Sequence, residues 1–252
     1  MCFGFNHFRT HFSTTCFHFL FKSHCHRTAF FGSRLRNRST GAEIWPGSAQ
    51  MILFDDYRSL ALDFDRTTLQ VRPDDNEASG ITDAALGQDF YGQIIESLQH
   101  FGGYVKATPG TPSVPGERRY YIYPYDWRQD NVEAARGLDR LIETLRRDYN
   151  DPSLRVDIIA HSMGGLVARY FLRYGPVDVL DGSEQLVTLY GTSRVRKLVL
   201  LGTPNMGAAS ALHAFLVGEP IGFKRLMARP VTTLCFECKT AREQVEADER
   251  PE

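Results

Sequence analysis

The chain has 252 residues, of which 42% are hydrophobic and 23% charged, with a formal net charge of −1. That length is sufficient for one α/β domain with a sizeable buried core. The balanced charge argues against a nucleic-acid partner, because phosphates require a clustered basic surface. No run approaches about 18 consecutive apolar residues, so any contact with a membrane is expected to be peripheral.

Residues 1–28 differ in composition from the rest of the chain. They are rich in Phe, His, Cys and basic side chains, and no acidic residue precedes Glu43. Such a start is compatible with an organelle transit peptide, whereas its interrupting His and Lys residues fit a secretory signal poorly. Non-native coding sequence, from a wrong start or a shifted frame, is the favoured alternative. Either way, we expect residues 1–28 to pack little on the domain.

The five cysteines occur only near the two ends of the chain. Cys235 and Cys238 have C-x-x-C spacing, and further zinc-ligating side chains occur at Cys16, His18, His24, Cys25 and His26. No second spaced pair completes a tetrahedral set, so we predict no metal site.

Predicted helices and strands alternate along the middle of the chain. In chain order they are a helix at 89–101, a loop at 108–116, a strand at 119–125, a helix between Asp130 and Pro152, a strand at 154–160, a helix at 164–174 and a strand at 195–201. Apolar side chains recur at helical spacing in the helices and run almost continuously in the last two strands. The pattern predicts an α/β fold: a mostly parallel sheet with helices on both faces.

Two further segments complete the domain organisation, in which residues 29–236 form a partial α/β domain. Residues 175–193 exceed a standard connection and are a possible lid or cap insertion. Residues 237–252 are dominated by charged side chains and are expected to form a polar tail.

Ser162 lies where the strand at 154–160 meets the helix at 164–174. This placement is typical of a nucleophile elbow, a sharp turn that presents a serine hydroxyl at the carboxyl end of a sheet. Small residues, Ala160 and Gly164, flank it two positions away on each side and allow strand and helix to approach closely. The turn also aims the Met163 N–H at the space beside the serine, where an oxyanion forms during acyl transfer.

Five segments, in order, resemble the lecithin:cholesterol acyltransferase-like family of α/β-hydrolases, which includes phospholipid:diacylglycerol acyltransferases and lipases. They are Phe31–Leu35, Ile44–Ser48, Tyr125–Arg128, Ala160–Leu172 and Leu201–Gly207. The resemblance implies an acyl lipid or ester substrate, no cofactor and a second oxyanion donor on a loop after an early strand. At the matching position that donor is the amide of Phe30, although the Pro-Gly of the family loop is replaced here.

The acid and base of a catalytic triad are not recognisable, because no further strand, Asp loop and His loop follows Leu201. His213 falls inside a predicted helix, and His161 is a neighbour in the elbow that is better suited to packing or substrate contact. Asp178 and Asp181 lie in the insertion, where turn residues are the favoured interpretation. Asp126 and Trp127 can shape an acyl pocket, although structural pairing of Asp126 with a cation is favoured.

Two functions therefore remain open. The first is a lipid O-acyltransferase, lipase or esterase in which Ser162 forms an acyl-enzyme. The alternative is a truncated, catalytically impaired α/β-hydrolase fragment or pseudoenzyme, with a sheet incomplete at its C-terminal end, that at most binds apolar ligands. A third and less favoured alternative keeps the elbow and changes the substrate to a peptide or thioester. No specific protein partner or compartment is predicted.

Overall fold

The computed structural model describes residues 15–18, 32–54, 57–65, 71–82, 84–85, 88–89, 91–180, 187–209, 213, 219–221, 224–228 and 233–235. The strands are β1 (Thr15–His18), β2 (Ser33–Asn37), β3 (Glu43–Trp45), β4 (Asn76–Ile81), β5 (Ala84–Ala85), β6 (Gln88–Asp89), β7 (Tyr104–Lys106), β8 (Arg118–Ile122), β9 (Val156–His161), β10 (Val195–Leu201), β11 (Glu219–Ile221), β12 (Lys224–Ala228) and β13 (Thr233–Cys235). The helices are α1 (Ala49–Phe54), α2 (Gly92–His100), α3 (Asn131–Asp148) and α4 (Met163–Tyr174).

The central sheet has five strands in the order β10–β9–β1–β8–β7, and every neighbouring pair is parallel. Parallel strands require crossover connections, which α3 and α4 provide between β8, β9 and β10. The predicted α/β class with a parallel sheet is thus confirmed for the described residues. The carboxyl ends of these strands meet at one edge, hereafter the carboxyl edge.

Helices cover both faces of this sheet. Alternate side chains of each strand point to opposite faces, so one strand contributes to two apolar clusters. On β9, Ile158 joins a core with α3 and α4, whereas its neighbour Ile159 packs with the α2 cluster. Tyr121 and Tyr120 divide in the same way on β8. The expected two-sided arrangement is present in this part of the chain.

The longest helix, α3, follows directly from its sequence. Asp130 caps it by accepting the N–H of Val132 at 2.9 Å, which satisfies one of the free donors of the first turn. Its buried stripe comprises Val132, Ala134, Ala135, Leu138, Leu141, Ile142 and Leu145. Burying each Leu or Ile side chain contributes about 2 kcal/mol relative to exposure, so this stripe fixes α3 against the sheet.

The expectation that residues 1–28 pack little on the sheet is wrong for residues 15–18. These residues form β1, which lies in the middle of the sheet, paired with β8 on one side and β9 on the other. β1 carries no clear signal in the sequence, because its four residues, Thr15–His18, lack the continuous apolar run of a buried parallel strand. The rest of that segment and the tail at 237–252 lie outside the described residues.

Several short antiparallel strands were not predicted. β3, β2 and β4 form one small sheet, β5 and β6 a second, and β11, β12 and β13 a third. The prediction that no further strand follows Leu201 is therefore wrong, although β11–β13 pair only with one another. These strands are only two to six residues long and lack a clear apolar alternation, so neither length nor alternation marked them.

The described part of the 175–193 insertion lies at the end of the sheet opposite Ser162. α4 has 12 residues and runs about 18 Å away from Ser162, and β10 starts beside Val156, the first residue of β9. Within the insertion, Pro176 O accepts from Arg136 Nε at 3.1 Å and Tyr190 donates to Asp139 Oδ1 at 3.0 Å, both on α3. These residues are therefore not a lid over Ser162.

None of the helices in the described ranges has both the length and the apolar character needed to cross a membrane.

The position of β1 generates a prediction. Replacing Cys16 by proline removes a backbone donor from a strand that is paired on both sides and leaves its acceptor unpaired, so Cys16→Pro should lower the free energy of unfolding by about 1–3 kcal/mol. Urea unfolding followed by circular dichroism measures the change. Cys16→Ala keeps the backbone donor and is the control; equal stability of the two variants would contradict β1 as a central strand.

Candidate functional site

Ser162 occupies a tight turn between β9 and α4 with φ 52° and ψ −125°. Positive φ is uncommon for any residue other than glycine. The turn is fixed from both sides: the Ser162 N–H donates to Leu201 O of β10 at 2.8 Å, and Ser162 O accepts the Gly165 N–H at 3.0 Å. The predicted strand–turn–helix around Ser162 is therefore confirmed in its backbone.

The flanking small residues are buried, as close approach of β9 and α4 requires. Ala160 is fully buried and Gly164 is buried at the start of α4. Met163 is the first residue of α4, so its N–H is among those that a helix leaves without an intrahelical acceptor. The turn thus brings a serine and the N-terminus of a helix together at the carboxyl edge.

His161 packs in the core rather than standing in solvent. Only 9% of its surface is exposed, and its ring meets Tyr91 edge-on with the ring centroids 6.1 Å apart. Burial lowers the pKa of His161 to about 4, so the imidazole is neutral at pH 7. This agrees with the packing role predicted for His161; its contact with a substrate remains a prediction.

The other candidate base and acids do not join Ser162. His213 is exposed, and Asp178 caps a turn by accepting the Leu180 N–H at 2.9 Å, as expected of a turn residue. Asp181 lies outside the described residues. Among those described, no side chain makes a hydrogen bond with the Ser162 hydroxyl, so the structure identifies no base.

Phe30 also lies outside the described residues, but the two residues after Phe31 are firmly held. Gly32 O accepts the Thr82 N–H at 2.9 Å. Ser33 is buried; its Oγ accepts the Tyr125 N–H at 3.0 Å and its carbonyl accepts Trp127 Nε1–H at 3.2 Å. The segment that ends the family loop is therefore attached to the carboxyl end of β8.

Asp126 forms the structural pair that the sequence favoured. Arg128 donates to Asp126 through Nε at 2.9 Å and to Asp74 through Nη1 at 2.8 Å, and its side chain is only 1% exposed. Burial raises the pKa of Asp74, but the hydrogen bonds and charge of Arg128 outweigh it and lower that pKa overall. Trp127 packs edge-on against Trp45 with centroids 5.5 Å apart.

An open cleft of about 520 Å³ lies at the carboxyl end of β8, between α3 and the β2–β4 sheet. Its lining includes Tyr123, Tyr125, Asp74, Asp126, Arg38 and Arg140. Ser162 is not part of it. Most of its acidic side chains are neutralised by neighbouring arginines, among them Glu77, which pairs with Arg36 and Arg38. This cleft could not be predicted from the sequence, because its lining residues come from distant segments.

No group of three or more His, Cys, Asp or Glu side chains suited to a metal ion occurs in the described part of the chain. Cys238 and His24–His26 lie outside that part.

Fold and turn together define a class: an α/β protein that presents a serine in a strained strand–helix turn. Comparison with known proteins is more specific. Residues 115–234, a little less than half of the chain, match the profile of the lecithin:cholesterol acyltransferase family. This part of the chain is lecithin:cholesterol acyltransferase-like, which confirms the resemblance; Phe31–Leu35 and Ile44–Ser48 lie outside the matched range.

Two curated relatives support the same family. Lysosomal phospholipase A and acyltransferase from Bos taurus is 31% identical over 99 residues, which cover 38% of this chain and 21% of the relative. The Homo sapiens protein of the same name gives the same identity and coverage. The chain thus matches about a fifth of the length of these relatives.

The depressed pKa of His161 predicts a pH dependence of stability. Unfolded His161 binds a proton below about pH 6.5 whereas the folded residue resists protonation down to about pH 4, so its stabilisation is complete above that window and is lost as pH falls through it. Between pH 7.5 and pH 5 the parent should lose about 2 kcal/mol more than His161→Gln. Urea unfolding at both pH values measures this; His100→Gln, at an exposed site, is the control, and equal losses in parent and His161→Gln would refute it.

The Arg128 network predicts a second difference in stability. Arg128→Met leaves two partly buried carboxylates without their cation and should cost about 3–5 kcal/mol. Arg72→Met, which removes a solvent-exposed pair with Asp63, should cost less than about 1 kcal/mol. Denaturant unfolding compares the two; similar small losses would show that the network does not hold the fold.

Proposed function

We propose that Ser162 is the nucleophile of a lipid O-acyltransferase or ester hydrolase with an α/β-hydrolase-like sheet. The observation that carries the proposal is the Ser162 turn, with φ 52° and ψ −125°, at the carboxyl end of β9. An ordinary helix-capping serine has extended backbone angles and does not need this conformation. A sharp turn that lifts a hydroxyl clear of the backbone is what an attacking serine requires.

The arrangement of the sheet supports this assignment. β9 is flanked on both sides by parallel strands, so the serine follows an inner strand of the described sheet. Ligands of parallel α/β sheets bind beyond the carboxyl ends of the strands, which is where Ser162 lies.

The proposed chemistry proceeds in two steps. Ser162 Oγ attacks the ester carbonyl as a base accepts its proton, and collapse of the tetrahedral intermediate breaks the ester C–O bond and releases the alcohol. Water or an acceptor alcohol then takes the acyl group from Ser162. We assign the Met163 N–H, at the N-terminus of α4, to the oxyanion, and the Phe30 amide to the second donor position. Because both proposed hydrogen-bond donors to the oxyanion are backbone N–H groups of the protein, this step requires no cofactor.

The names of the relatives point to the substrate class. Both are described as a phospholipase A and acyltransferase, so an acyl lipid is the proposed donor, approached from a lipid surface. His161, Asp126 and Trp127 were the predicted substrate contacts. Of these, we retain His161 as a substrate contact, because Asp126 already accepts from Arg128 and the Trp127 Nε1–H already donates to Ser33 O.

A binding-only function is the second candidate. It is favoured by the absence, among the described residues, of a side chain hydrogen-bonded to the Ser162 hydroxyl. A serine without a base is a weak nucleophile, and loss of the base from such a triad costs about a millionfold in rate. The chain as written should therefore hydrolyse esters slowly.

p-Nitrophenyl butyrate tests the proposal. We expect slow release of p-nitrophenol, at no more than about 10³–10⁴ times the uncatalysed rate. We also expect a butyryl group on Ser162 that peptide mass spectrometry detects. Ser162→Ala should lose the adduct, whereas Ser97→Ala, at an exposed position of α2, should keep it.

Three outcomes discriminate between the candidates. A butyryl group absent from Ser162, with equal rates in parent and Ser162→Ala, contradicts the nucleophile. Fast turnover that is lost in Ser162→Ala and also in His161→Ala or His213→Ala would name the base. An adduct with slow turnover supports a nucleophile that lacks its base.

A further inference from the structure

The first turn of α4 has no room for a side chain where it meets the segment after β10. A Cβ atom built on Gly165 would lie 1.9 Å from Thr203 Oγ1, 2.7 Å from its Cγ2 and 2.8 Å from its Cβ. Real Cβ contacts are never this short, so the Thr203 side chain fills the space that glycine leaves open. Both residues lie close to Ser162. Gly165 is in α4, which follows Ser162, and Thr203 follows β10, whose Leu201 accepts the Ser162 N–H.

A second contact joins the same two segments one helical turn further on. Arg169 Nη1 donates to Asn205 Oδ1 at 2.7 Å. Gly165 and Arg169 are four residues apart and therefore lie on one face of α4. The segment they meet is itself compact, because the Asn205 N–H donates to Thr203 O at 2.8 Å and the Gly207 N–H to Pro204 O at 3.0 Å.

These contacts surround the strained turn. The last residue of β10, Leu201, accepts the Ser162 N–H. Two residues after Leu201, the Thr203 side chain packs against Gly165, and the Gly165 N–H donates to Ser162 O. A non-glycine residue keeps a positive φ only where the surrounding structure determines it from several sides. Here the two ends of the turn are set by β10 and by the segment that follows it.

We propose that Thr203 is a positioning residue that maintains the backbone conformation of Ser162 by packing against Gly165. This inference rests on the proposed function of Ser162 for its catalytic meaning. Packing is the relevant property rather than hydrogen bonding, because Thr203 Oγ1 is buried and has no hydrogen-bond partner among the described residues. Thr203 lies in the family-like segment Leu201–Gly207, and its sequence context alone predicts no role for it.

A thermodynamic cycle between positions 162 and 203 tests the proposal without substrate. Ser162→Gly removes the strain of a non-glycine residue at positive φ. This stabilisation should appear only while Thr203 holds the turn in that conformation. We expect its effect on the folding equilibrium constant to be at least about fivefold more favourable in the parent than in Thr203→Gly. General loosening of the fold would leave the two effects equal, so effects equal within about twofold overturn the inference.

Two further variants separate shape from the hydroxyl. Thr203→Val keeps the volume and loses the hydroxyl, so it should retain the parent coupling; loss of coupling in Thr203→Val would overturn the packing role. Gly165→Ala should destabilise the protein and Thr203→Gly should restore it in the double variant, because it removes all three close atoms. Gly80→Ala, at a position with open space, is the matched control.

The two proposals fail in different ways. Coupling without a butyryl adduct on Ser162 would refute the nucleophile and leave Thr203 as the residue that holds the turn. An adduct on Ser162 with additive effects in the cycle would refute the role of Thr203 alone.

Discussion

The backbone of Ser162 is the constraint on which the site depends. Holding a serine at φ 52° and ψ −125° costs on the order of 1–3 kcal/mol, and that cost must be met by neighbouring structure. β9 is buried between two parallel strands, Leu201 binds the serine amide, and α4 starts within one residue. The small residues around the turn follow from this geometry, since each larger side chain would separate the elements that enforce it.

A second region of the carboxyl edge is held by polar contacts rather than apolar packing. Tyr125 and Trp127 bind Ser33, and Arg128 joins Asp126 to Asp74, so the exit of β8 is tied to the small β2–β4 sheet. Buried ion pairs of this kind seldom add net stability over apolar packing, but removing one partner is costly. They therefore act chiefly as specific connections, which fix where the segment after Phe31 meets the sheet.

The sequence predicted most reliably what depends on local pattern. The strand at 195–201 has the predicted bounds, and α4 begins one residue before its predicted start, because continuous apolar runs and helical spacing are strong signals. β1 could not be predicted, because its place depends on pairing with β8 and β9 rather than on its own four residues. The link from Arg128 to Asp74 and the contact of Thr203 with Gly165 were likewise hidden, since each joins residues that are distant in sequence. The turn itself requires only Gly164, so the second glycine, Gly165, was the sequence signal of close packing at this point.

The proposed acyl transfer would place two separate requirements on this site. Placing a nucleophile and an oxyanion donor is a matter of backbone geometry, which the turn and the N-terminus of α4 can meet by themselves. Activating the nucleophile requires a base within about 2.6–3.2 Å of the hydroxyl, and that base must exchange protons near neutral pH. His161 satisfies neither condition well, because its ring packs on Tyr91 and burial holds its pKa near 4. An uncharged ring can remain buried at pH 7 without the cost of desolvating a charge. The burial, ring packing and pKa of His161 therefore fit the packing role predicted from the sequence better than the role of a base.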